Sequence, residues 1–291
     1  MTRYCLLTLT LFMFTGCVSI PPESLSPAIE AEELSNHVHF LAQPALRGRK
    51  PLTRGSRLAR KYIGDRFAAC GLQPWGETES YAQSFGIGTN MVGVLPGSDP
   101  NIAEEIILVS AHYDHLGKTE DGLCLGASDN AAGVAALLEI AEHLALNKPH
   151  PRRSICFAAF DQEENGLLGA FAFSQREDFD KDKIAGVVNI DLLGRKGYQV
   201  LDRTLFVAGT HGYAPLRHEL ISNHPHLSIL PVNMRLVGAR GDHAAFEDLN
   251  ACTLFFSSGL YADYHRPGDT PDKIDYPIAR DCTKVILNAV E

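Results

Sequence analysis

Tryptophan is almost missing from the 291-residue chain (Trp75 alone), CxxC pairs are missing entirely, and there is no block of lysine and arginine. Without CxxC spacing a structural zinc knuckle is not expected. With 26 basic against 35 acidic residues, a net charge of −9, the chain has no basic footprint for binding nucleic acid. Beyond the N-terminal segment no long apolar run occurs, which excludes a multi-span membrane protein. GxxxxGK[ST] and GxSxG are both absent. His218-Glu219 has Ser222 where HExxH needs its second histidine, and Gly86-Ile87-Gly88 has Met91 in place of a third glycine. What is present is an ordinary globular balance, 45% hydrophobic and 21% charged. The excess acid is what a metal site built from carboxylates would need.

Residues 1–16 carry Arg3, an apolar run from Leu6 to Phe14 and a small-residue exit, the pattern of a secretory leader. The run is too short to span a bilayer. Phe14-Thr15-Gly16-Cys17 resembles a bacterial lipobox, with Phe14 where leucine is usual. That resemblance implies lipidation of Cys17 and a membrane anchor. Val18 in place of aspartate implies an outer-membrane lipoprotein facing the periplasm. Residues 17–31, rich in proline, serine and glutamate, read as the lipidated cysteine and a solvated tether, and residues 32–291 as one catalytic domain. Five cysteines fall in that domain, an odd number that leaves at least one unpaired.

Leu58, Tyr62, Ile63 and Phe67 recur at helical spacing, with Gly71 as the stop. Strand-length apolar runs follow at Met91–Leu95, Glu105–Ala111, Arg153–Phe160, Gly186–Ile190, Thr204–Ala208 and Ala251–Phe256. Several are continuously apolar, as strands buried on both faces are. Between the second and third, Val134, Leu137, Leu138, Ala141 and Leu144 mark a helix over Ala131–Leu146. Strand, helix and strand in this order predict an α/β fold: a single domain with a mixed, mostly parallel central sheet and helices on both faces.

The polar residues of interest stand just past the carboxyl ends of those strands, where open α/β sheets bind ligands. One run enters His112-Tyr113-Asp114-His115, the next Asp161-Gln162-Glu163-Glu164, and a third Asp191. Asp129 opens the Ala131 helix, where an N-cap role competes with a ligand role, and Gly126 and Gly133 allow close backbone approach. His265 lies in a loop rich in proline and glycine. His112, Asp129, Glu164, Asp191 and His265 supply two imidazoles and three carboxylates, a set suited to two zinc ions sharing one carboxylate, though other divalent metals are possible. Glu163, whose side chain diverges from that of Glu164, is placed as the general base for an activated water. Asp114 is placed to accept the free ring N–H of His112.

These residues carry a resemblance. Ala111–Gly117, Gly126–Gly133, Phe160–Gly169, Asn189–Asp191 and Tyr264-His265 resemble the co-catalytic zinc aminopeptidases, a family related to glutamate carboxypeptidase II and glutaminyl cyclase. Leu46–Arg49 and Gly71–Pro74 are similar to the family's N-terminal region. The resemblance implies that His112, Asp129 and Asp191 bind one zinc and Asp129, Glu164 and His265 the other. Glu163 would then act as base and as proton donor to the leaving amine. Gly241-Asp242-His243 stands where the family often has Ser-Asp-His, and Arg266 where threonine is common, so Asp242 and His243 are expected at the substrate rim. The function implied is removal of N-terminal residues from peptides. A cyclase or carboxypeptidase-like hydrolase on the same scaffold, and a non-catalytic lipoprotein binding zinc or peptide, are the alternatives. A cyclase pocket is typically lined by tryptophan, and this chain has one. Side-chain preference and oligomeric state are left open.

Overall fold

The computed structural model describes residues 25–291 apart from 77–78, 198–202, 211–215, 217–218 and 221–222, so the leader and Cys17 lie outside the described residues. Strands β1 (Gln73–Pro74), β2 (Ala82–Phe85), β3 (Gly88–Leu95) and β4 (Ile106–His112) come first. A small hairpin follows, β5 (Gly117–Thr119) and β6 (Gly122–Cys124). Then come β7 (Ser154–Phe160), β8 (Ile184–Ile190), β9 (Thr204–Gly209), β10 (Ser228–Asn233) and β11 (Cys252–Ser257). All but the hairpin form one nine-stranded sheet in the order β1-β3-β7-β4-β8-β11-β9-β10, with β2 paired to β3. The four central strands β7, β4, β8 and β11 are mutually parallel, and antiparallel pairs flank them. The expected mixed sheet is therefore observed.

Register is what positions the site. His112 stands opposite Phe160 and Ser110 opposite Asn189, while Phe256 stands opposite Ile190. The central strands therefore end level with one another, and the chain leaves each of them at the same edge. Their interiors are buried on both faces, as their unbroken apolar sequence requires.

Helices α1 (Ala31–Leu41), α2 (Arg54–Ala69) and α3 (Ala132–Leu146) belong to the larger core on one face. They are joined there by the C-terminal helix, Tyr276–Val290, which is α5 here. Helix α4 (Leu168–Ser174) covers the other face, where Phe160, Phe173, Phe179 and Phe246 gather around Trp75. The single tryptophan packs edge-on against Phe173, ring centroids 5.1 Å apart, as a core residue.

The last residues before helix α1 lie along the domain with Pro27, Ala28 and Glu30 exposed: Ile29 alone of them is buried in the larger core, Asn147 donates to the Pro27 carbonyl at 3.0 Å, and the Ser26 amide donates to Glu142. Helix α1 then begins at Ala31, with Leu34, His37, Val38 and Leu41 forming its buried stripe. Among the described residues no helix is long and apolar enough to cross a membrane. Cys70, Cys124, Cys156, Cys252 and Cys282 are all free thiols; Cys156 is buried and Cys252 half-buried.

Candidate metal centre

Each predicted ligand leaves the level edge of the sheet on its own segment. His112 is the last residue of β4, Asp191 follows β8 directly, and Glu163 and Glu164 open the 3₁₀ turn Glu163–Asn165 after β7. Asp129 lies in the wide turn Ala127–Ala131 that feeds α3, and His265 lies in the loop beyond β11.

The capping question at Asp129 resolves locally. Asn130 accepts the Gly133 N–H at 3.1 Å and donates to the Ile190 carbonyl at 2.8 Å. Asn130 thus does the work at the start of α3, and the Asp129 carboxylate is left to face the crevice. Gly126 is needed for this geometry: its φ is +65°, and a Cβ there would lie 2.2 Å from the Asp129 carbonyl.

Asp129 is the hub. Its Oδ1 lies 3.3 Å from His112 Nε2, and its Oδ2 lies 3.2 Å from His265 Nε2. Asp191 Oδ1 is 3.3 Å from His112 Nε2 on one side, and Glu164 Oε2 is 3.1 Å from His265 Nε2 on the other. The five predicted ligands thus converge as two groups sharing Asp129. All five but His265, which is partly exposed, are shielded from solvent.

The structure adds His115, which sequence reasoning quoted without giving it a role. It is fully buried, its Nδ1 lies 2.7 Å from Glu164 Oε1, and His115, Asp129 and Glu164 form a compact group able to hold a cation. Its position three residues past His112, on the same strand exit, was the available clue. Asp269 was also missed. Its carboxylate accepts the Ser128 N–H at 3.0 Å, the Asp129 N–H at 3.1 Å and the Tyr261 hydroxyl at 2.9 Å, so it holds the hub loop from behind.

Asp114 is placed differently from expectation. Its carboxylate lies 3.7 Å from His112 Nδ1, too far for a hydrogen bond. The nearer acceptor for that ring nitrogen is the Asp114 carbonyl, at 3.2 Å. The carboxylate takes the Glu163 N–H at 3.0 Å instead, and so orients the candidate base. Asp242 and His243 are not at an accessible rim: they are 1% and 0% exposed. Phe246, anchored in the smaller core, draws their turn inward. His243 Nε2 sits 3.0 Å from the Gly238 carbonyl, and both Asp242 oxygens are buried without a hydrogen-bond partner.

Electrostatics follow from burying many acids together. Desolvation would raise Asp129 and Glu164, but histidine contacts win and hold both below the usual range: His112 and His265 for Asp129, His115 and His265 for Glu164. Burial would lower His265, yet Asp129 and Glu164 raise it to about 10. Desolvation, reinforced by Asp242, Asp191 and Glu164 and opposed by His112, pushes Glu163 up to about 9. Desolvation also pushes Asp242 up to about 8. Six carboxylates (Asp114, Asp129, Glu163, Glu164, Asp191, Asp242) thus face three imidazoles (His112, His115, His265). Asp129 Oδ2 and Asp191 Oδ1 are buried without a hydrogen-bond partner. An acid-rich donor set with orphaned oxygens fits divalent cations better than protons.

The sequence profile of Peptidase family M28 matches residues 90–290. The chain belongs to peptidase family M28. Leupeptin-inactivating enzyme 1 of Streptomyces exfoliatus is 26% identical to this M28 chain over 214 residues, 72% of it and 44% of that enzyme. The chain spans less than half the length of the curated relatives it matches. Among solved structures, the zinc aminopeptidase BSAP of Bacillus subtilis superposes with a TM-score of 0.73 at 15% identity, covering 92% of this chain and 96% of BSAP. The glutaminyl cyclase of Bacteroides thetaiotaomicron superposes at 0.66 and 18% identity, covering 91% and 98%. At such identities these two establish the shared fold of the M28 chain.

Proposed function

We propose that this M28 protein is a dizinc aminopeptidase. The observation that carries the reading is the shared carboxylate: Asp129 reaches His112 with one oxygen and His265 with the other, and each imidazole faces one further acid at 3.1–3.3 Å. His112, Asp129 and Asp191 would hold one ion; Asp129, Glu164 and His265 would hold the second. When bound, such ions polarise a carbonyl and lower the pKa of water. His115 fixes Glu164 so that its other oxygen faces His265. Glu163, oriented through its N–H by Asp114 and 4.0 Å from His112, would take the proton of the attacking water and return it to the leaving amine once bound cations offset the burial and neighbouring acids that push its carboxyl up. Trp75 lies in the core, so the one tryptophan does not line the crevice as a cyclase would need. Residues 1–17 would export the enzyme and anchor it through lipidated Cys17, so that it acts on peptides in the cell envelope.

The test measures metal content of the purified protein alongside hydrolysis of a panel of aminoacyl-arylamides, with Glu163→Gln beside the wild type. About two zinc ions per chain, with activity lost in the variant but metal retained, supports the reading. Two zinc ions without arylamide hydrolysis moves it to cyclase or carboxypeptidase chemistry. A chain that takes up no metal overturns it. Cys17→Ala should shift the protein from the membrane to the soluble fraction.

A further inference from the structure

Behind the metal centre lies a cation that, among the described residues, no carboxylate touches. Arg49 ends the 3₁₀ turn Pro44–Arg49 and is fully buried. Its Nε donates to the Tyr113 carbonyl at 2.7 Å. Its Nη1 donates to the carbonyls of Leu125 at 2.7 Å and Leu41 at 2.9 Å, and its Nη2 to that of Gly126 at 2.8 Å. Asp129, Asp269, Asp114 and Glu164 act on it only at longer range.

The acceptors are informative. Tyr113 stands between His112 and Asp114, beyond the end of β4, and Leu125 and Gly126 lead into the Asp129 turn. The two segments that bring the hub and its first imidazole together therefore meet on one guanidinium. Such a fork suits the task, because its five donors lie in a fixed plane, whereas an ammonium is a point charge on a flexible stem. Seating it needs close approach: a Cβ at Gly48 would lie 2.0 Å from the Cys124 carbonyl.

We propose that Arg49 is a positioning residue of the metal centre, which sets the spacing of His112 and Asp129 through the carbonyls of Tyr113, Leu125 and Gly126. It does so from outside residues 90–290, the stretch that matches the family profile. Its positive charge also offsets part of the acid cluster near neutral pH. The inference rests on the proposed metal reading.

The test uses the full chain as wild type, Arg49→Met, Arg49→Lys and, as a surface control, Arg57→Met. Zinc affinity is measured by chelator competition, and cobalt(II) absorption reports ligand geometry, both well below each protein's unfolding temperature. Arg49→Met should bind at least one ion tenfold or more weakly, with an altered cobalt spectrum. Arg49→Lys, which keeps the charge but not the fork, should fall between Arg49→Met and the wild type, and Arg57→Met should match the wild type. A role in folding alone would lower the unfolding temperature and leave affinity and spectrum unchanged, and that result overturns the proposal. Should neither Arg49 variant fold, amide exchange in the wild type decides. Added zinc should slow exchange at residues 46–50 together with 113 and 125–129; slowing confined to 125–129 counts against Arg49. A wild type that binds neither zinc nor cobalt refutes the metal reading instead.

Discussion

Replacing Asp269 by asparagine tests whether the hub carboxylate is held by its backbone. In the wild type one Asp269 oxygen takes the amides of Ser128 and Asp129 and the Tyr261 hydroxyl at 2.9–3.1 Å, and the other takes the Ser128 amide at 3.0 Å. An asparagine oxygen can keep the first group of bonds, but they lose their charge assistance. Its NH2 then faces the Ser128 N–H, donor against donor. A hydrogen bond to a charged group contributes about 1.5–3 kcal/mol against roughly 1 for a neutral one. Weakening three of them should therefore destabilise the fold by about 2–3 kcal/mol, and full burial of Asp269 leaves solvent little to soften. The same change loosens Asp129, and loss of such supporting contacts typically weakens metal binding about 10–100-fold. Urea unfolding of the metal-free protein measures the first effect and chelator competition for zinc the second. Tyr261→Phe, which removes one bond, should show a smaller version of both. An Asp269→Asn protein that binds zinc with wild-type affinity would refute the idea that the hub is held from behind.

Burial of His243, offset only in part by the Gly238 carbonyl, lowers its pKa to about 4. The unfolded chain therefore gains a proton before the folded one as pH falls, so stability is intact above about 6.5 and is lost between 6.5 and 4. From pH 7.5 to 5 the His243 contribution should fall by about 2 kcal/mol, read as the difference between urea titrations of the wild type and His243→Gln, in which the opposite contributions of the raised Glu163 and Asp242 carboxyls cancel. Gly48→Ala should cost about 3 kcal/mol or more, because φ is +69° and the new methyl meets a backbone carbonyl; thermal unfolding checks this. Zinc at about one hundred times its dissociation constant should raise the unfolding temperature by roughly 5–10 °C, and excess chelator should reverse it. A temperature indifferent to zinc would mean that the acid cluster holds no ion.

How far sequence reasoning reached depended on what kind of interaction was at stake. Ile106–His112 and Ser154–Phe160 were legible because strands buried on both faces must be apolar throughout. β10 was not, since Pro231 breaks its pattern; the strand tolerates proline because it lies at the sheet edge, paired among the described residues only to β9. Helix α1 was hidden by the proline- and acid-rich stretch before it, though its stripe at Leu34, Val38 and Leu41 is plain once seen. The five predicted ligands could be read because metal chemistry restricts residue type. Arg49 and Asp269 act on backbone carbonyls and amides, which every residue possesses, so no residue pattern announces their partners. The burial of Asp242 and His243 depended on where Phe246 would anchor, a matter of packing rather than motif.

The bonds from Asp269 to the Ser128 and Asp129 amides close a loop of about 140 residues. A nascent chain still missing residues 265–269 has His112, Asp129 and Asp191 available, but neither His265 nor the brace behind the hub. Ribosomal synthesis therefore delivers His265 and Asp269, the last residues of the proposed second cation site and its brace, after every described strand has been made. A chain cut short before that point would contain those strands and lack both residues.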